Sequence, residues 1–133
     1  MDSSQKGDIA VLKVQIRARE KGAECYMPLS AASRFDMALY WCGRFYRVQI
    51  KYGGRTRECA PGVAIVGLTK GDHGEKRYTS DEIDALLVYV VETDEVCWFG
   101  PEIFHGKTML YIRHAECKNG RKAGCIMLEN YIW

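Results

Sequence analysis

The sequence contains no apolar run near the roughly 20 residues that a membrane-spanning helix needs, so no membrane partner is expected. Its N-terminus, MDSSQKGD, lacks the apolar core of a secretory signal, and a cytoplasmic location is the expectation. The six cysteines (Cys25, Cys42, Cys59, Cys97, Cys117 and Cys125) form no CxxC pair and no CxxC…HxxxH spacing, which removes the usual zinc layouts. Reduced thiols packed as small apolar side chains are the expected state. No internal repeat, linker or low-complexity segment is present. Nor is there a large excess of one charge: the net value of +2 does not announce a polyanionic partner by itself.

What remains is the composition of a single globular domain spanning residues 1–133, with 47% hydrophobic and 27% charged residues and enough chain for one core. The basic residues are grouped. Arg44, Arg47, Lys51, Arg55 and Arg57 fall together, and Lys70, Lys76 and Arg77 follow. Such groups can neutralise phosphates, and Arg55, Arg57, Lys70, Lys76 and Arg77 are the candidate phosphate-contacting set. The same grouping also suits a solvated basic loop.

Helical spacing predicts a first helix capped by Ser3 or Ser4, running to about Lys21 and stopped by Gly22, with Ile9, Leu12 and Ile16 facing a core. Strands are predicted at Ala23–Met27, Phe35–Trp41, Arg44–Tyr52 and Gly62–Leu68. Lys70–Tyr78 lacks periodicity and reads as an exposed loop, followed by a capped helical turn at Thr79–Glu82. Ala85–Val91 is a nearly unbroken apolar run suited to a strand buried on both faces, with Glu95–Phe99 as its hairpin partner. Pro101 starts another helical turn, Met109–Arg113 forms a late strand, and the apolar tail Ile126–Trp133 packs on the domain or on another subunit. The result is one compact α/β domain.

The chemistry lies in the Phe35–Lys51 hairpin. If Cys42-Gly43 is a two-residue turn, Trp41 pairs with Arg44, and counting outward sets Asp36 opposite Gln49. Cross-strand partners share a face, and the period of two brings Lys51 to that face one step along. Met37, Leu39, Val48 and Ile50 then point to the other, apolar side. A turn one residue longer would break this registry unless a bulge restored it. A carboxylate, an amide oxygen and a lysine on one patch suit a hard cation such as Mg2+ beside a cationic group that stabilises developing phosphate charge. A surface hairpin with assorted polar residues would show the same spacing.

Phe35-Asp36 followed by Arg47-Val-Gln-Ile-Lys51 resembles the PD-(D/E)xK signature of restriction-like nucleases, with Gln as the middle member and Phe35 where the name has proline. Lys6-Gly7-Asp8 at the first helix, Glu24–Ser30 before the Asp strand, and Tyr78–Tyr89 with its Asp81–Asp84 run add to the likeness. Together they resemble small intron-encoded bacterial homing endonucleases of the restriction fold, over most of Gln5 to Phe99. The resemblance implies a restriction endonuclease-like fold, a central mixed β-sheet flanked by helices with an αβββαβ-type core. It implies a metal-dependent endonuclease acting on double-stranded DNA, with Mg2+ as cofactor and Mn2+ as the alternative ion. Asp36, Gln49 and the backbone carbonyl of Ile50 would hold the metal, and Lys51 would be the catalytic lysine.

Many relatives also carry a glutamate in the first helix, where Val11 stands here. Asp8 lies one turn earlier on the same helical face and could replace it as catalytic and metal-binding acid; alternatively it favours the helix N-terminus through the macrodipole. One site per domain implies a homo-oligomer, a dimer or a tetramer, and a DNA substrate implies association with the nucleoid. A Holliday-junction resolvase and a non-catalytic DNA-binding protein are the alternatives on the same fold. His73 could approach DNA from its loop but reads first as a solvated loop histidine, His105 and His114 read as surface or hydrogen-bonded residues, and Trp41, Tyr46 and Tyr52 either contact DNA or belong to core or interface.

Overall fold

The computed structural model describes residues 1–54, 61–70, 76–116 and 124–133. Helix α1 (Ser3–Glu20) leads into β1 (Glu24–Tyr26), β2 (Met37–Trp41) and β3 (Arg44–Gly53). Then come β4 (Val63–Gly67), the short pair β5 (Thr69–Lys70) and β6 (Lys76–Arg77), β7 (Ala85–Val90) and β8 (Glu95–Phe99). Helix α2 (Pro101–Phe104), β9 (Met109–Arg113), β10 (Ile126–Met127) and a 3-10 turn at Leu128–Asn130 close the chain.

The central sheet runs β1-β2-β3-β7-β8 and is mixed, because β3 and β7 are parallel while the other neighbours are antiparallel. Its two faces carry different covers. On one face Met37, Leu39, Val48, Ile50, Ala85 and Leu87 meet Ala10, Val14 and Ala18 of α1. On the other face Leu86, Val88, Cys97 and Phe99 meet Ala64, Val66, Leu110 and Ile112. The latter belong to a second sheet, β10-β9-β4. Every residue of β7 is buried, as expected for an apolar run packed on both sides. A parallel pair is usually bridged by a helical crossover. Among the described residues here, β4 and the β5–β6 hairpin occupy that connection, so the second face is covered by strands.

Several local expectations change. Asp2, rather than Ser3 or Ser4, caps α1: its carboxylate accepts the Gln5 N–H at 2.9 Å and Gln5 Oε1 accepts the Asp2 N–H at 3.0 Å. Gly22 does supply the stop, at φ +79°. Leu12 and Ile16 face solvent, 57% and 58% exposed, while Ala10, Val14 and Ala18 face the sheet. Small side chains let the helix lie close, and two ion pairs fix its rotation, Lys13–Asp94 and Arg17–Glu95, both at 2.8 Å. The predicted helical turn at Thr79–Glu82 is a hydrogen-bonded turn, with the Glu82 and Ile83 N–H groups donating to the Thr79 carbonyl. The predicted exposed loop contains the β5–β6 pair, and its last residue, Tyr78, is only 3% exposed.

The tail packs on its own domain: Trp133 is buried, and its backbone N–H donates to the Val96 carbonyl at 2.9 Å. Cys25, Cys42, Cys97 and Cys125 carry free thiols, and burial pushes that of Cys97 up to about 12. Cys59 and Cys117 lie outside the described residues. No helix among the described residues is long and apolar enough to cross a membrane.

Candidate active site

The hairpin geometry begins at its turn. Cys42 and Gly43 have φ of +52° and +78°, the two left-handed residues of a type I′ connection. The observed pairing therefore runs from Trp41↔Arg44 to Met37↔Val48, where it ends one step short of the expected Asp36–Gln49 pair. Val48 and Ile50 are buried against α1, and alternation turns Gln49 and Lys51 to the opposite face, where all three of Asp36, Gln49 and Lys51 are partly buried.

The two strands part company at the site. The Asp36 N–H donates at 2.9 Å to the carbonyl of Val48, the partner of Met37, and so is offset by one residue from the ladder. A regular ladder would then give the Ile50 N–H to the backbone of residue 35. Instead the Asp36 carboxylate accepts it, Oδ2 at 2.9 Å. This bond orients the carboxylate and ties it to the residue between Gln49 and Lys51.

The far wall comes from the turn before β7. Tyr78 places its ring under the Lys51 ammonium, with Nζ 5.3 Å from the centroid. Burial, and then the charges of Asp36 and Glu82, push the Tyr78 hydroxyl up to about 12, so it stays protonated at neutral pH. Glu82 also pairs with Arg34 at 3.2 Å.

Arg47 anchors this wall to β3. Its backbone N–H and side-chain Nε both donate to Asp84 Oδ2, at 2.8 and 3.1 Å, and Nη2 donates to Oδ1 at 3.1 Å. Nη1 reaches the Asp81 carbonyl at 2.8 Å. Hydrogen bonds from the Arg47 side chain hold the Asp84 carboxyl below its ordinary range. A depressed folded pKa means stability that is present above the unfolded value, near pH 4, and lost as pH falls through the lower folded value. Asp84→Asn is therefore expected to cost about 1–2 kcal/mol at pH 7. The gap should narrow below about pH 4, measured by urea unfolding across pH.

The other predicted positions are dispersed. Asp8 is exposed in α1, whose buried side covers the face opposite Gln49 and Lys51. Among the described residues no three His, Cys, Asp or Glu side chains converge as a metal cluster. Lys76 and Arg77 are exposed on β6, and Arg77 Nη1 donates to the Gly106 carbonyl at 3.0 Å. Lys70 belongs to β5, and its side chain, like Arg55, Arg57 and His73, lies outside the described residues. His105 Nδ1 accepts the Ser80 N–H at 3.2 Å, and His114, with its side chain 6% exposed, lies 3.4 Å from Glu92.

Trp41 and Tyr46 pack around Trp98, and Tyr52 packs edge-on to Tyr89. The aromatic residues exposed on the site's face are instead Tyr26, Tyr40 and Phe45. Sequence reading missed Tyr78 and the Arg47–Asp84 clamp, although the acidic run just before the buried strand marked the segment that provides them.

A mixed sheet covered by a helix on one face and by strands on the other, with the Asp36 carboxylate bound to the backbone between Gln49 and Lys51, is the architecture of the restriction endonuclease-like fold. The sequence profile of the PD-(D/E)XK endonuclease family matches residues 1–132, and the chain belongs to that family of nucleases. Members generally use divalent metals. Among solved structures, the bacterial homing endonuclease I-Ssp6803I is similar, with a TM-score of 0.74 and 19% identity over 98% of this chain and 86% of that one. No curated protein sequence matches.

Proposed function

We propose that this protein is an Mg2+-dependent DNA endonuclease that hydrolyses phosphodiesters at a specific site, as an intron-type homing enzyme. The observation that carries the reading is the capped Asp36 carboxylate, bound at 2.9 Å to the N–H of Ile50, the residue between Gln49 and Lys51. The residues fit a divalent cation: the Asp36 carboxylate, the Gln49 amide oxygen and the Ile50 carbonyl are all hard oxygen donors. Asp8, exposed on α1 over the opposite face of the sheet, contributes only long-range negative charge. Mn2+ is the alternative ion. When bound, the metal supplies Lewis-acid polarisation of the scissile phosphate.

The chain's own groups do the rest. Lys51 holds a fixed positive charge where the phosphate gains negative charge, and Asp36, oriented by Ile50, fixes the position of the cation. Lys76 and Arg77, exposed on β6, hold neighbouring phosphates, together with Arg55, Arg57 and Lys70. One site per chain means that cutting both strands takes a dimer, and a long target takes a tetramer.

Incubation of the purified chain with Mg2+ and a DNA library should yield cuts at a defined sequence, abolished by chelation. A linear site is expected to outcompete a four-way junction. Preference for the junction would indicate a resolvase. The presence of Val11 at the helix glutamate position favours a second reading, a DNA-binding protein without catalysis. Salt-sensitive binding with no cleavage in either Mg2+ or Mn2+ would establish it.

A further inference from the structure

Lys51 carries its ammonium on a flexible four-carbon stem, and a charge that acts on a phosphate must be held in one place. The structure supplies a platform for it. The Tyr78 ring lies with its centroid 5.3 Å from Nζ, within cation–π range, and the residue is 3% exposed. Its backbone is held on both sides. The Gly106 N–H donates to the Tyr78 carbonyl at 3.1 Å, and Arg77 Nη1 donates to the Gly106 carbonyl at 3.0 Å. Two residues on, Arg47 Nη2 reaches the Ser80 carbonyl at 3.4 Å and Nη1 the Asp81 carbonyl at 2.8 Å. The ring face is thus fixed from β3 and from the segment after α2, independently of DNA.

We propose that Tyr78 is a positioning residue of the nuclease site, its ring face holding the Lys51 ammonium beside the scissile phosphate. The inference rests on the reading of Lys51 as the catalytic lysine. It assigns the work to the ring and not to the hydroxyl. The segment between β6 and β7 thereby contributes to the chemistry, beyond the hairpin that carries the signature.

Two measurements on the full-length protein test it. Replacing Tyr78 by phenylalanine, then by mono-, di- and trifluorophenylalanine, weakens the ring's negative face at nearly constant size. Tyr78→Phe is expected to cut within about threefold of the parent, and the logarithm of the single-turnover rate should then fall with each fluorine, to about tenfold in total. A flat series overturns the proposal, as does a Tyr78→Phe rate already reduced to the trifluoro level. The second readout needs no cleavage. The Lys51 ε-methylene resonances should be displaced by the ring current in the parent and in Tyr78→Phe, and return to ordinary lysine positions in Tyr78→Leu. Resonances that ignore Tyr78→Leu overturn the placement even in an active enzyme. If the chain cuts no DNA, the displacement still decides the placement, which separates failure here from failure of the nuclease reading.

Discussion

Lys51→Met is expected to slow single-turnover DNA cleavage by about a thousandfold, while DNA affinity at fixed salt should change by no more than about fivefold. Methionine keeps an apolar stem of similar length over the Tyr78 ring, so the wall of the site persists and the change isolates the charge. Removing one preorganised charge-stabilising group from a transition state typically costs about 10²–10³-fold. A single phosphate contact among several changes the salt slope of binding by about one. A rate loss without a matching loss of binding separates a transition-state role from ground-state attraction. Equal losses in both would make Lys51 one more phosphate anchor.

Asp36→Asn is the second large expected effect: cleavage should fall by at least about a hundredfold, and the Mg2+ concentration for half-maximal rate should rise by about tenfold or more. The amide oxygen of asparagine can still accept the Ile50 N–H that Oδ2 accepts at 2.9 Å, so the splay between β2 and β3 is retained. What disappears is the negative charge, which Gln49 and the Ile50 carbonyl do not replace. Excess Mn2+ should recover part of the rate. Asp8→Asn is expected to shift the Mg2+ midpoint by only about two- to fivefold, because Asp8 is exposed on the helix that covers the opposite face. Metal titrations of the two variants side by side check this ranking.

The hairpin could be read from the sequence because its determinants are local. Cys42-Gly43 sets the turn, the turn sets the register, and the period of two assigns Val48 and Ile50 to the core and Gln49 and Lys51 to the site. The doubly buried β7 announced itself by its unbroken apolar run in the same way. Where tertiary packing decided, the reading failed. Helical periodicity alone turned Leu12 and Ile16 inward. The close approach of α1 through Ala10, Val14 and Ala18, with the Lys13 and Arg17 ion pairs, rotates them to solvent.

The far wall of the site was hidden for a related reason. Tyr78 and Asp84 lie 27 and 33 residues beyond Lys51 in sequence, and among the described residues strands rather than a helix make the connection that brings them back. Nothing in the spacing around Tyr78 indicates that its ring meets Lys51. That contact depends on the parallel pairing of β3 with β7, which sets Gln49 beside Leu86 and Lys51 beside Val88. The Arg47–Asp84 clamp depends on the same pairing, since Asp84 immediately precedes β7.

The most direct test is a crystal structure of the protein grown with Ca2+ and duplex DNA, the larger ion replacing Mg2+ to hold the complex uncut. The expected density is one ion bridging the Asp36 carboxylate, the Gln49 amide oxygen and the Ile50 carbonyl, with Lys51 Nζ on the Tyr78 ring and directed to the nearest phosphate. An ion bound elsewhere, with Asp36 and Gln49 contacting neither metal nor DNA, would contradict the site.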